Sequence, residues 1–377
     1  MAKLGEVFTI ASGGTPDKGN PFYYENGTIP WVKTGDLKNQ YVPTGIDCIT
    51  EEGLNNSSAK LFPPNTVLVA MYGATIGACS ILSYEAATNQ ACAAFLPNEN
   101  VLPTYLYYFL SSKREQFVKD GVGGAQPNIS AGYLKNVQFG LIPMQQQIDI
   151  VEKLDKVEKL IALRKEQLAK LDQLVKSRFV ELFGDTPDEE KKTMADICKI
   201  ITDGTHQPPK FTSTGIPFLF VSNIVTNEIH YDAEKFISEE TYAELIKRTP
   251  IAIGDILLST VGSYGHPAVV KSDKPFCFQR HIAYLKPNAD MVNSEYLRGA
   301  ILSADVQRQI DERVKGIAQK TLNLSEIRKL QLPLPSMEQQ EQFAAFVEQT
   351  DKSKLAIQYS HKKQELLKKS LMQKYFG

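Results

Sequence analysis

Residues 29–37 read IPWVKTGDL and residues 216–224 read IPFLFVSNI, which aligns Pro30 with Pro217 and Trp31 with Phe218 at an offset of 187 residues. Self-similarity at long period sets the domain plan before any local propensity does. Working outward, Gln90 in NQACAAFLPN matches Gln279 in FQRHIAYLKPN at an offset of 189. AQPNISAGYLKNVQF from Ala125 matches AQKTLNLSEIRKLQL from Ala318, which puts Leu134 opposite Ile327 and Val137 opposite Leu330 at an offset of 193. Met144-Gln-Gln-Gln147 returns as Met337-Glu-Gln-Gln340, and both long polar segments end in Phe-Gly, Phe183-Gly184 and Phe376-Gly377. The drift in offset is what insertions in surface loops produce. The chain is a duplication, with halves of 184 and 193 residues.

Each half is a mixed segment followed by a helix. Residues 1 to about 142 carry short β-type runs (Thr66 to Met71, Ala91 to Leu96), turn clusters such as SGGTP, PPN and GVGG, and a helical stretch from Pro103 to Lys119. The second segment repeats the order with IPFLFV, DILLST and HIAYLK, then a helical stretch from Ser294 to Val314. Neither shows the regular βαβ alternation of a doubly wound sheet, so the class is α+β. Residues 145 to about 182 lack Pro and Gly and are rich in Lys, Glu, Leu and Gln. Leu154, Ile161, Leu168, Val175 and Leu182 recur every seven residues, with Ile150, Val157 and Leu171 at the companion position, a heptad seam broken by Arg164 and Arg178. The counterpart from Glu338 to about Tyr375 has a weaker seam, with Phe343, Val347, Ile357, Leu367 and Leu371 irregularly spaced about a polar middle. Two capping helices, each closing its own domain, are the simpler alternative. The division is 1–143, 144–184, 185–336 and 337–377.

With Lys plus Arg at 42 and Asp plus Glu at 43, the formal charge is −1, so no global basic excess points to nucleic acid. The 42% hydrophobic content suits a globular protein. Cys48, Cys79, Cys92, Cys198 and Cys277 form no CxxC pair and read as free thiols of a reducing compartment. Without a signal-like or membrane-spanning apolar run, a soluble cytoplasmic protein is expected.

Motifs of catalysis are sparse. No Gly-Lys-Ser or Gly-Lys-Thr closes a phosphate loop, and no Asn-Pro-Pro-Tyr type of tetrapeptide offers an adenine methyltransferase site. Pro187-Asp188-Glu189-Glu190-Lys191 packs its acids into one linker, whereas a nuclease needs them on separate strands around a metal. The five histidines lack HExxH spacing, and Gly121-Val122-Gly123-Gly124 is a lone glycine cluster. What recurs at equivalent places is polar loops. Ser12-Gly13-Gly14-Thr15 pairs with Thr202-Asp203-Gly204-Thr205-His206, and the loop holding Gly73 and Thr75 pairs with the one holding Ser263, Tyr264 and His266. Small residues let backbone N–H groups approach phosphate, though ordinary tight turns have the same composition. Lys33-Thr34-Gly35-Asp36 and Val221-Ser222-Asn223 follow matching strands, and Asn89-Gln90 and Gln279-Arg280-His281 precede matching strands. Asn, Gln and Arg are the side chains that bind adenine or guanine edges in bidentate fashion.

The order LGEVFTIASGGTP, IPWVKTGDL, GATIG, AQPNIS and LIPMQQQ, followed by IITDGTH, VGSYG, AQKTLNLSEI and LPLPSMEQQ, resembles the specificity subunits of type I restriction-modification enzymes over the whole chain. The resemblance implies two target recognition domains, each reading half of a bipartite DNA sequence, and two long antiparallel helices that act as a ruler and form a pseudo-two-fold arrangement. It implies double-stranded DNA as ligand, two modification subunits that use S-adenosylmethionine, and restriction subunits that use ATP and Mg2+, with no cofactor and no catalysis in this chain. The sequence differs from longer members in starting almost directly at the first recognition domain. Three other readings stay open: a fused methyltransferase-endonuclease, a tandem scaffold that binds proteins through its helices, and a specificity subunit of a methyltransferase-only or type IIB-like system.

Overall fold

The structure is a computed structural model that describes residues 1–122, 128–184, 187, 190–316 and 320–377. The chain groups into two compact units: Met1–Leu163 with Ser360–Gly377, and Arg164–Tyr359. Each unit therefore holds one mixed segment and one end of each long helix. Parts of three sequence features lie outside the described residues: Gly123-Gly124, the Ala125–Pro127 and Ala318-Gln319 ends of the repeat, and Asp188-Glu189 of the acidic linker.

In the first unit, one antiparallel sheet runs in the order Ile10–Ser12, Cys92–Phe95, Val67–Ala70, Cys79–Ile81. A second runs Cys48–Ile49, Ile29–Val32, Ala86–Thr88, Leu61–Phe62, and its middle pair is parallel. A ribbon joins Ala2–Lys3 to Gln138–Phe139. The second unit repeats the plan with one strand fewer among the described residues: Cys198–Asp203, Ile282–Pro287, Ile256–Ser259, Pro267–Val269 in one sheet, Lys235–Ile237, Ile216–Leu219, Cys277–Phe278 in the other, again with one parallel pair but without a counterpart of Leu61–Phe62, and a ribbon of Lys191–Thr193 with Gln331–Pro333. Val67–Ala70 and Ile256–Ser259 are buried at every position. Continuous apolar runs of this length suit strands covered on both faces.

The helical stretch expected from Pro103 to Lys119 divides into Pro103–Ser112 and Arg114–Asp120, and that from Ser294 to Val314 into Ser294–Ile301 and Ala304–Arg313. In the second unit Ser303 marks the break, its hydroxyl accepting from the Val306 N–H. In the first, Lys113 stands there with no capping side chain, and the turn seats Phe117 in the core.

The long helices span Met144–Phe183 and Met337–Phe376. Each begins with a buried glutamine from the repeated motif. Gln147 accepts from the Leu102 N–H (2.9 Å) and donates to the carbonyls of Asn100 and Ile142 (both 2.9 Å). Gln340 does the same with the Asn293 N–H (2.8 Å) and the carbonyls of Met291 (3.1 Å) and Pro335 (2.9 Å). Both are fully buried, so each amide meets its hydrogen-bonding needs through three backbone groups.

Along the central helix Leu154, Val157 and Ile161 are buried in the first unit, whereas Leu168, Leu171 and Val175 in the second are half-buried. Leu182 is exposed, and Phe179 and Phe183 take the buried places against Tyr296 and Phe343. A straight α-helix drifts about 20° per heptad from a seven-residue repeat, which moves the seam off the inner face by its fifth member. On the C-terminal helix Phe343 and Val347 are buried, and Ile357 and Leu371 are half-buried. Leu367, expected on the seam, is instead half exposed, with Gln364 and Lys368 turned inward beside it. Lys368 pairs with Glu158 in the first unit. In the second, Lys354 pairs with Asp172 at 2.6 Å while Phe343 meets Phe179, so the helix ends there run antiparallel. Among the described residues no helix is long and apolar enough to cross a membrane.

Candidate nucleic-acid interface

The polar loops gather because of strand direction. In an antiparallel sheet the C-terminal ends of the outer strands and the N-terminal end of the strand between them lie at one edge. Ser12 ends its strand, Asn89 and Gln90 precede Cys92–Phe95, and Tyr72–Gly77 follows Val67–Ala70. Lys33 and Thr34 join this end because the Asn89 N–H donates to the Val32 carbonyl (3.0 Å). In the second unit Thr202, Asp203, Gly204, Thr205, His206, Ser222, Asn223, Gln279, Arg280 and His281 meet in the same way. Gln279 N–H donates to the Leu219 carbonyl, Arg280 N–H to that of Thr205, and Thr260 N–H to that of His281. Asp203, Arg280 and His281 line a cavity of about 260 Å³ with Thr260, Val261, Thr321, Leu322, Asn323 and Leu324.

The glycines divide into two kinds. A Cβ on Gly13 would lie 2.0 Å from the Thr88 carbonyl oxygen, on Gly14 2.3 Å from Ser58, and on Gly204 2.2 Å from the Phe278 oxygen. All three are buried. Gly14 N–H donates to Thr88 and Gly204 N–H to Ile282, so these amides are committed within the protein rather than presented to an anion. Their smallness lets one strand cross closely over another. Gly73 and Gly262 are different: each has positive φ (+66° and +72°) with nothing within 4 Å of a Cβ, so the chain turns sharply there and stays open to a ligand. Thr75 donates to the Tyr72 carbonyl (3.2 Å) within the first of these turns.

The side chains sort by what already occupies them. Asn223 accepts from the Phe220 N–H (2.9 Å) and donates to the carbonyls of His230 (3.0 Å) and Asp232 (3.3 Å), which uses its amide to fold its own loop. Asn89 accepts from the Ala91 N–H (3.2 Å) in a short Asx turn. Gln90 is exposed, its Oε1 held by the Thr15 hydroxyl. Lys33 is paired with Asp47 and half exposed. In the second unit Ser222, Ser263 and Arg280 are exposed. Tyr264 donates to Asp311 (2.9 Å), with the Lys320 ammonium over its ring. His266 lies 3.2 Å from Asn227, and burial pushes its pKa below 6.5. Burial and the adjacent Arg280 lower that of His281 as well. Absent from the sequence-level set is Arg248, whose guanidinium lies 2.5 Å from Asp203. It lies outside the stretches matched between the halves, so the repeat did not point to it.

Elsewhere the chain offers little reactivity. Burial pushes the thiols of Cys79, Cys92, Cys198 and Cys277 up to about 12. Lys191 of the acidic linker lies in a strand and pairs with Asp305 (3.2 Å).

A duplicated α+β unit with its polar loops at one sheet end is the architecture of a recognition module used twice. The chain belongs to the family described as the type I restriction modification DNA specificity domain, whose model matches residues 1–173 and 188–368. It is 25% identical over 375 residues to the type I restriction enzyme MjaIX specificity subunit of Methanocaldococcus jannaschii, covering 92% of this chain and 85% of that one. It is 31% identical over 162 residues to the EcoR124I/EcoR124II specificity subunit of Escherichia coli, a match covering 42% of this chain and 40% of that relative. In fold it is similar to the S subunit of a type I restriction-modification system from M. genitalium (TM-score 0.55, 14% identity, 100% of this chain and 95% of that one). It is also similar to a chain from a structure concerned with complex assembly and conformational transition of the type I R-M system (TM-score 0.60, 17% identity, 100% and 96%).

Proposed function

We propose that this chain is the DNA-recognition subunit of a type I restriction-modification complex, with each unit reading one half of a split target. The observation that carries the reading is the duplication of one polar sheet end, with unlike side chains in the two copies. Gln90, Lys33, Thr34 and the Gly73–Thr75 turn serve one half-site. Gln279, Arg280, Ser222 and the Ser263–His266 turn serve the other. Catalysis belongs to partners: two modification subunits that carry S-adenosylmethionine, and restriction subunits that use ATP and Mg2+. A net charge of −1 limits phosphate neutralisation by the chain alone, so tight DNA binding requires those partners. Both long helices pass from one unit into the other, which suits them to set the gap between half-sites and to dock the modification subunits.

Co-expression with the modification subunits, followed by sequencing of methylated bases in genomic DNA, is expected to show a split adenine-methylated motif. Absence of any such motif overturns the reading. Four helical residues inserted after Leu168, with a matching four after Ile357, add about 6 Å and are expected to widen the gap by roughly two base pairs at unchanged half-sites.

A further inference from the structure

Among the polar groups at the second sheet end, one arginine is held differently from the rest. Arg248 lies in the turn after the helix Glu239–Leu245, which Ser238 caps. Its Nη2 donates to Asp203 Oδ1 at 2.5 Å and reaches Thr202 Oγ1 at 3.5 Å. The other carboxylate oxygen, Oδ2, lies 2.8 Å from His206 Nε2. Asp203 itself is largely buried, its side chain 14% exposed, whereas those of Arg248 and His206 are 53% and 54% exposed. Among the described residues, Nε and Nη1 of Arg248 have no hydrogen-bond partner. The carboxylate thus anchors a half-exposed guanidinium through one of its nitrogens, Nη2.

We infer that Arg248, buttressed by Asp203, reads a guanine in the half-site recognised by the second unit, an assignment that rests on the function proposed above. Guanine presents O6 and N7 side by side in the major groove, and an arginine fork matches both acceptors at once. That match needs the guanidinium plane held before DNA arrives, because a freely rotating side chain loses rotamer freedom on binding. A contact to phosphate carries no sequence information, and a carboxylate behind the guanidinium would weaken its attraction to an anion. Asp203 acts on both counts that favour the base: it restrains the guanidinium through Nη2 and offsets its charge. Gly204 allows the arrangement, since a Cβ there would strike the Phe278 and Gln279 carbonyls and displace the strand end that carries Asp203.

The test is methylome sequencing of cells expressing the complex with wild-type, Arg248→Ala, Arg248→Lys or Asp203→Asn chains, with thermal melting to check folding. The expected result is a wild-type motif with a G·C pair at one position that becomes degenerate in R248A and R248K, with discrimination there falling roughly 5- to 150-fold. D203N relaxes the same position by a smaller factor, and the other half-site is unchanged in every variant. An R248A motif identical to wild type overturns the inference. So does a drop in methylation that is uniform over all sequences, the mark of a phosphate contact. So does relaxation at an A·T position. A wild-type complex that yields no split motif overturns the recognition role itself, a result distinct from the other three.

Discussion

The two units share a strand order yet finish one segment in opposite ways. In the first, the short helix Glu51–Asn55 is followed by Ser58 and Ala59, which close directly over Gly14. In the second, the corresponding helix Glu239–Leu245 is two residues longer and is followed by Arg248, which stands over Asp203 instead. Core positions are held in common while the polar end diverges. A duplicated scaffold can carry two unlike recognition surfaces when the groups that close the core are separate from those that face solvent.

The largest effects should fall on what the units share. Gln147→Leu and Gln340→Leu each remove three hydrogen bonds to backbone from a buried amide, at about 0.5–1.5 kcal/mol apiece, so each is expected to lower stability by roughly 2–4 kcal/mol. Denaturant unfolding of both variants checks this, and a large cost in one with none in the other would break the equivalence of the units. Next come the glycines. Gly13→Ala and Gly204→Ala should destabilise by about 2 kcal/mol or more, because the added carbon meets a carbonyl with no room to shift. Gly73→Ala and Gly262→Ala should cost only about 1 kcal/mol, the strain of positive φ in open space. Thermal melts of the four variants would reveal a reversed ranking.

The smallest effect separates the units by pH. His266 and His281 sit at the second sheet end, and the first has no histidine. Both have folded pKa values below 6.5, so their neutral forms are favoured by the fold. The stability they contribute is full above about pH 6.5 and is lost as the pH falls below it, because the unfolded chain takes up the protons first. NMR titration should place both midpoints under 6.5, and melting should show the second unit weakening first in mild acid.

Much of this was legible in the residues. The repeat predicted matching strands, and Ile29–Val32 and Ile216–Leu219 occupy the same place in matching sheets. The helices begin at the methionines of the two repeated glutamine motifs. The glycine loops were found by recurrence, but recurrence has two causes, and only the position of Thr88 or Phe278 distinguishes a strand crossing from an open turn. Asn223 had the composition of a base reader until the carbonyls of His230 and Asp232 claimed its amide. Leu367 followed the apolar pattern in a helix whose inward face there is polar. Arg248 carried no signal, since it lies outside the stretches that self-comparison matched.

By itself the sequence determined the duplication, the α+β class and the two long helices, because periodicity and composition act locally along the chain. Tertiary structure decided which polar groups stay available. That choice depends in part on distant partners, such as the one 45 residues away that pairs Arg248 with Asp203, and no local pattern encodes which distant carbonyl or carboxylate will meet a given side chain.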